Sequence, residues 1–98
     1  MKNAIDMYAD ALKAALISAD TETIQTIQVR RNNLAQMLDK YLSDSLRIVR
    51  TAHYYDDITR QERETVLTRF ICQCRNERTT PQQLLDIYTV EALDELPF

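Results

Sequence analysis

The sequence predicts an all-α protein, a bundle of about four helices in one domain that spans residues 1–98. The chain has no glycine and only two prolines, so the two strongest helix breakers are nearly absent. Along its longest uninterrupted stretch the apolar residues recur three and four positions apart, as on a helix face. The alternation expected of a half-buried strand is absent there. We therefore expect antiparallel helical hairpins and no sheet.

Residues 3–18 predict an amphipathic first helix. Ile5, Tyr8 and Leu12 fall on one face, and Asp10 and Lys13 fall on the opposite face. The polar residues that follow offer N-cap side chains for a second helix after a tight turn. These cap candidates are Ser18, Asp20 and Thr21.

The central element of the prediction is one long helix over about residues 21–54, which contain neither glycine nor proline. Its seam positions alternate three and four residues apart, as in helices packed along their length. A helix of this size is on the order of 50 Å long, so we expect it to project, to break or to pair with a second chain. Leu38 lies mid-seam and should be deeply buried. The predicted seam positions are 24, 27, 31, 34, 38, 41, 45, 48, 52 and 55, and Ala35, Leu42, Leu46 and Val49 widen the predicted stripe over the second half.

The weakest part of the predicted long helix is residues 28–33, where only one of six side chains is apolar. If the helix breaks, this segment is the place where a break is expected, and the sequence leaves open whether the helix is continuous. Arg31 occupies a seam position within this segment and has two interpretations. In one, Arg30 and Arg31 cover apolar surface with their stems and keep their charged ends in water. In the other, Arg31 and Ser45 lie inside a helix–helix seam and fix its register.

A third helix is expected to begin near Thr59, because Thr59 and Glu62 have the spacing of a capping box. Its predicted apolar face consists of Val66, Leu67, Phe70, Ile71 and Cys74. Its predicted solvent side consists of Arg60, Arg63, Glu64, Arg69 and Arg75.

A fourth helix is expected to begin at Pro81, with Thr80 as its cap and Gln83 completing a capping box. Thr89 is a candidate interruption. The helix should end before Leu96, Pro97 and Phe98. Its predicted inner face consists of Leu84, Leu85, Tyr88 and Ala92.

The sequence offers little for metals, disulfides or membranes. Cys72 and Cys74 are two apart in a predicted helix and point to different sides, so both should stay reduced. The single histidine, His53, belongs to no metal-ligand spacing, and we expect neither metal nor cofactor. No apolar run approaches the roughly 20 residues of a membrane span, and no signal peptide is recognisable. We expect a cytoplasmic protein.

Most catalytic motifs are missing, because there is one histidine and no glycine-rich phosphate loop. Two fragments, residues 31–35 (RNNLA) and 63–67 (RETVL), resemble the all-helical chorismate mutases. The resemblance implies a dicarboxylate pocket with Arg31, Arg63 and Glu64. The chain departs from that family at Leu42, where the family has lysine, and at residues 57–61 (DITRQ), which do not reproduce its Asp-x-x-Arg-Glu signature. This enzyme is the least favoured hypothesis, and we expect no enzymatic activity.

A nucleic-acid-binding regulator is the second hypothesis. It would use an arginine stripe on the long helix, formed by Arg30, Arg31, Arg47 and Arg50. The net charge of −3 disfavours it, and so does the acidic residue 80–98 segment, which has four carboxylates and no lysine or arginine.

The preferred hypothesis is a small protein-binding module of the regulator, adaptor, inhibitor or secretion-chaperone type, bacterial or phage-like, that also forms a dimer. Tyrosines beside polar groups at a helix junction, and an acidic segment with apolar residues, are typical of contact surfaces. The candidate contact residues are Arg30, Arg31, Arg47, Arg50, His53, Tyr54, Tyr55, Leu96 and Phe98.

Overall fold

The computed structural model describes residues 4–18, 23–53 and 55–93, with side chains through residue 90. They form four helices and no strand, which confirms the predicted helical bundle. The helices are α1 (Ala4–Ile17), α2 (Ile24–Thr51), α3 (Asp57–Arg75) and α4 (Pro81–Leu93).

Helix α2 is continuous through residues 28–33, so of the two alternatives that the sequence left open the helix takes the unbroken one. Its 28 residues correspond to about 42 Å, most of the 49 Å length of the molecule. Two polar residues of this segment are hydrogen-bonded to each other one helical turn apart, because Gln28 Nε2 donates to Asn32 Oδ1 at 3.2 Å. Polar residues without glycine or proline therefore leave the helix intact.

The start of α2 also differs from the prediction. Thr23 is its N-cap, and its Oγ1 accepts a hydrogen bond from the Thr26 N–H at 3.1 Å. Of the predicted caps, Ser18 lies in the turn after α1, whereas Asp20 and Thr21 are outside the described residues.

The buried face of α2 drifts away from the predicted seam. Tyr41 and Ile48 were expected inside but are 38% and 39% exposed, while Leu42 and Val49 are fully buried. A strict seam assumes about 3.5 residues per turn, and a straight helix has about 3.6. In the second half of α2 this difference moves the buried face by one position, to residues at the edge of the predicted stripe, and the first seam residue, Ile24, is also exposed, at 87%. Leu38, near the middle, is 1% exposed, as predicted.

Helix α2 contacts each of the other three helices. Helices α2 and α3 are antiparallel, because Asp39 pairs with Arg75 while Arg50 pairs with Glu64. Helix α4 closes the bundle by contacting α1, α2 and α3. One apolar core results from these contacts: Ala9, Leu12, Leu34, Ala35, Leu38, Leu42, Val49, Leu67, Ile71, Cys74, Leu84, Leu85 and Ile87.

The caps of α3 and α4 show one correction and one confirmation. Asp56 caps α3, and its Oδ1 accepts from the Thr59 N–H at 2.7 Å, so Thr59 is inside the helix and not at its start. The predicted capping box of α4 is present. The Gln83 N–H donates to Thr80 Oγ1 at 3.2 Å, and the Thr80 N–H donates to Gln83 Oε1 at 2.9 Å.

The inner faces of α3 and α4 largely follow the prediction. Leu67, Ile71 and Cys74 are buried on α3, and Leu84 and Leu85 on α4. Ile87 is a core residue that the prediction missed. The candidate interruption at Thr89 does not occur, since α4 runs to Leu93. The side chain of Ala92 is outside the described part.

Arg60 was expected on the solvent side of α3, and this is wrong. Its Nη2 donates to the carbonyl oxygens of Ala52, at 2.8 Å, and Tyr55, at 3.3 Å. Ala52 is the C-cap of α2, where backbone carbonyls have no partner inside the helix. Arg60 therefore fastens the connection between α2 and α3.

Truncating a side chain at the centre of the core should destabilise the protein. We expect Leu38→Ala to lower the free energy of unfolding by about 2 to 5 kcal/mol, the usual range for a buried leucine. Val29→Ala is the matched control, since Val29 is on the same helix and 52% exposed. Urea unfolding followed by circular dichroism measures both variants. Equal stability of the two would contradict the central position of Leu38.

Candidate functional site

Arg31 lies in the interior of the chain, with 5% of its surface exposed. Its Nε donates to the Thr79 carbonyl at 3.0 Å, and its Nη2 donates to the Asn76 carbonyl at 2.7 Å. Its Nη1 donates to Asn32 Oδ1 at 2.9 Å. The interpretation in which its charged end reaches water is therefore wrong.

The buried interpretation of Arg31 is correct as to burial, but the partners belong to the same chain. Asn76 and Thr79 lie in the turn between α3 and α4, and Asn32 lies on α2 beside Arg31. Ser45 is also buried, and its hydroxyl donates to the Tyr41 carbonyl of its own helix at 3.0 Å. Arg31 is therefore a structural residue of this fold and is not available to a ligand.

Removing the Arg31 guanidinium should destabilise the protein. Arg31→Met keeps much of the apolar stem but leaves the carbonyls of Asn76 and Thr79 without this donor, so we expect a loss of about 1 to 3 kcal/mol. Arg47→Met is the matched control because its side chain is 75% exposed. Thermal unfolding compares the two. If the Arg31→Met protein were as stable as the wild type, the buried hydrogen bonds would make no net contribution to the free energy of unfolding.

The predicted arginine stripe is split into two groups. Arg30 is half-buried, with its Nη1 3.5 Å from the Ala11 carbonyl of α1. Arg31 binds the α3–α4 turn, as described above. Arg47 and Arg50 lie sixteen or more positions further along α2, at least about 24 Å away. The four side chains do not form one continuous basic surface.

A groove between α2 and α3, called here the arginine cleft, is lined by three arginines, each of which lies near one carboxylate of the chain, Asp39, Asp44 or Glu64. Its volume is about 530 Å³. Three of its lining residues are arginines and none is acidic, while Leu46 and Ile71 supply apolar surface. The lining residues are Ser43, Leu46, Arg47, Arg50, Thr51, Thr68, Ile71, Cys72 and Arg75.

Arg75 is held in place by Asp39. Its Nε donates to Asp39 Oδ2 at 2.8 Å, and its Nη2 donates to Asp39 Oδ1 at 3.1 Å. These hydrogen bonds are the main reason that the pKa of Asp39 lies below its ordinary value. The guanidinium of Arg75 is thereby fixed at one end of the arginine cleft.

The other two arginines are less constrained. Arg47 Nη2 lies 3.3 Å from Asp44 Oδ1, and Arg50 Nε lies 3.8 Å from Glu64 Oε1. Their side chains are 75% and 60% exposed. Each guanidinium carries five N–H donors, so these single contacts leave donors for a ligand. The arrangement suits a ligand with several carboxylate or phosphate oxygens.

The two cysteines differ strongly in environment. Cys72 is exposed in the arginine cleft, and Cys74 is buried in the core. Burial raises the pKa of Cys74 to about 11, and the negative charge of Asp39 adds to the shift. A thiol in this state is a poor nucleophile because the thiolate is the reactive form. Both cysteines are free, as predicted.

The cysteines should therefore alkylate at different rates. With iodoacetamide at pH 8 we expect Cys72 to be modified well before Cys74 in the folded protein, and both alike in strong denaturant. Mass spectrometry of peptides at increasing times measures the two rates. Similar rates in the folded state would mean that α3 opens readily and exposes Cys74.

The remaining predicted contact residues are dispersed or outside the described part. His53 is exposed. Tyr55 is half-buried and packs against the core. Tyr54, Leu96 and Phe98 lie outside the described residues.

The pocket implied by the chorismate mutase resemblance does not assemble. Arg31 binds the turn after α3, whereas Glu64 lies beside Arg50. Positions 31 and 50 are nineteen residues apart on α2, or about 28 Å. Arg63 is on the same helix as Glu64 and cannot bring the two ends together.

The sequence did not predict that Arg75 lines this cleft, because Arg75 was assigned to the solvent side of α3. The antiparallel pairing of α2 and α3 brings Arg75 next to Asp39 from 36 positions away. The opposite charges of Asp39 and Arg75 could have indicated this pair, but only if the register between α2 and α3 had been known.

Comparison with known proteins gives no family assignment. No protein-family model matches the sequence, and no curated protein or solved structure is similar to it at a significant level. None of the described helices is long and apolar enough to cross a membrane. Among the described residues, no group of three or more His, Cys, Asp or Glu side chains is arranged to hold a metal ion.

Proposed function

We propose that this chain is a small helical module that binds another protein through the arginine cleft. The observation that carries the proposal is the combination of Arg47, Arg50 and Arg75 with an aliphatic floor and no acidic lining residue. Arginine is enriched in protein–protein interfaces, since one side chain offers apolar surface and several donors.

A second apolar surface lies on a different side of α2 from the arginine cleft. Tyr41 and Ile48 are seven positions apart on α2 and partly exposed, so they place further apolar surface on this helix. Position 30 falls on the same side as Tyr41, and there Arg30 contacts α1. Beyond this contact Tyr41 and Ile48 stay partly exposed, and a second copy of the chain is one partner that would cover them.

Nucleic acid is the less supported partner. The arginine cleft has no aromatic lining residue on which a base could stack. Nucleic-acid binding depends on the neutralisation of many phosphates, and three cleft arginines on a chain of net charge −3 supply little of the positive charge required. The split of Arg30 and Arg31 from Arg47 and Arg50 removes the long basic stripe on which that hypothesis depended.

Photo-crosslinking tests the proposal. A benzophenone amino acid replaces Thr68, which is exposed in the cleft, or Lys13, which is exposed on α1. Because α1 does not contact α3 among the described residues, Lys13 is a distant control. Irradiation in the native cells should give a discrete protein adduct from position 68 and not from position 13.

The mass of that adduct identifies the partner class. An adduct of twice the chain mass means that the partner is a second copy, and another discrete mass means a different protein. A smear that is identical at both positions, or no adduct at either, would overturn the protein-binding proposal.

A further inference from the structure

We propose that the partner of the arginine cleft is an acidic amphipathic helix, which docks lengthwise between α2 and α3. This inference rests on the protein-binding function proposed above and specifies the chemistry of the partner. It follows from the charges at the cleft, the surface between them and the distance that separates them.

The charges favour a ligand with separated carboxylates, which would use the arginine donors that Asp39, Asp44 and Glu64 leave over. Arg75 is anchored at the level of position 39 on α2 by its bond to Asp39, and Arg50 lies at position 50. Eleven helical residues separate these levels, which is about 16 Å. A docked helix spans that distance in about three turns, so its carboxylates should be about eleven residues apart.

The floor between the arginines requires an apolar residue on the partner. Leu46 and Ile71 line the middle of the cleft, with the hydroxyl groups of Ser43, Thr51 and Thr68 around them. An aliphatic side chain midway between the carboxylates would remove this surface from water. A phosphate chain has no apolar group to pack against this surface, so the cleft favours an acidic peptide.

A helix is the conformation that the cleft fits best. Two antiparallel helices leave a groove between them, and an amphipathic helix fills such a groove with side chains spaced three and four apart. Arg47 is 75% exposed at the rim, where its long side chain can turn toward carboxylates on the exposed flank of the docked helix.

Selection from random peptides tests this chemistry directly, because it does not require the natural partner to be identified. A display library of peptides about sixteen residues long is selected on the full chain. We expect enriched peptides with several Asp or Glu residues, helical apolar spacing and no excess of Lys or Arg. The strongest peptide is then labelled with fluorescein, and its binding is measured by anisotropy.

The decisive comparison uses two double variants with the same change of charge. Arg47→Gln/Arg50→Gln removes two cleft charges, and Arg69→Gln/Arg78→Gln removes two exposed charges elsewhere. We expect the cleft variant to weaken binding about tenfold or more, and the control variant to change it less than about twofold.

Several outcomes would overturn the inference. They are enrichment of neutral or basic peptides, no enrichment, or equal weakening by the two variants. Stronger Arg47/Arg50-dependent binding of a random single-stranded DNA would assign the cleft to nucleic acid. Sedimentation showing a wild-type dimer that the cleft variant abolishes would assign it to a second copy. A discrete crosslink at Thr68 combined with any of the peptide failures leaves the protein-binding function standing and removes only the acidic-helix partner.

Discussion

The buried guanidinium of Arg31 links α2 to the turn between α3 and α4. Without it, the turn after α3 would present inward-facing carbonyl oxygens at Asn76 and Thr79 with no donor from α2. A buried cation is costly unless it is fully hydrogen-bonded. Here backbone carbonyls supply the partners, and the direction in which α4 leaves α3 depends on them. Closure of the core by Leu84 and Leu85 depends in turn on that direction.

The arrangement of the neighbouring helices gives the arginines of α2 two kinds of environment. Near the start of α2, side chains meet α1 and the α3–α4 turn, so Arg30 and Arg31 are engaged in packing. Nearer its end, α2 faces α3 across a groove, and Arg47 and Arg50 stay mostly in solvent. Residues of one type thus have different roles because the neighbouring helices differ in length and position.

The helices and most of the core could be predicted from the sequence, since they depend on local spacing and caps. The capping box at Thr80 and the burial of Leu38 are examples. The partners of Arg31, Arg60 and Arg75 could not be predicted, because they depend on how the helices are paired. The predicted seam was wrong at Tyr41 and Ile48, where a small error in helical period had accumulated over several turns.

Both described connections that follow a long helix are closed by an arginine from another helix. Arg60 of α3 donates to the carbonyl of Ala52, the C-cap of α2. Arg31 of α2 donates to the carbonyl of Asn76, the C-cap of α3. Helices commonly end with a left-handed glycine that satisfies such carbonyls from within the turn. This chain has no glycine, and none of its described residues has a positive φ. Donors from other helices therefore close these turns together with contacts inside them, such as that of the Thr79 hydroxyl with the Gln73 carbonyl. Exposed loop residues such as Glu77 should tolerate substitution more readily than these two arginines, and lysine, which lacks the planar fork, is a poor replacement for either.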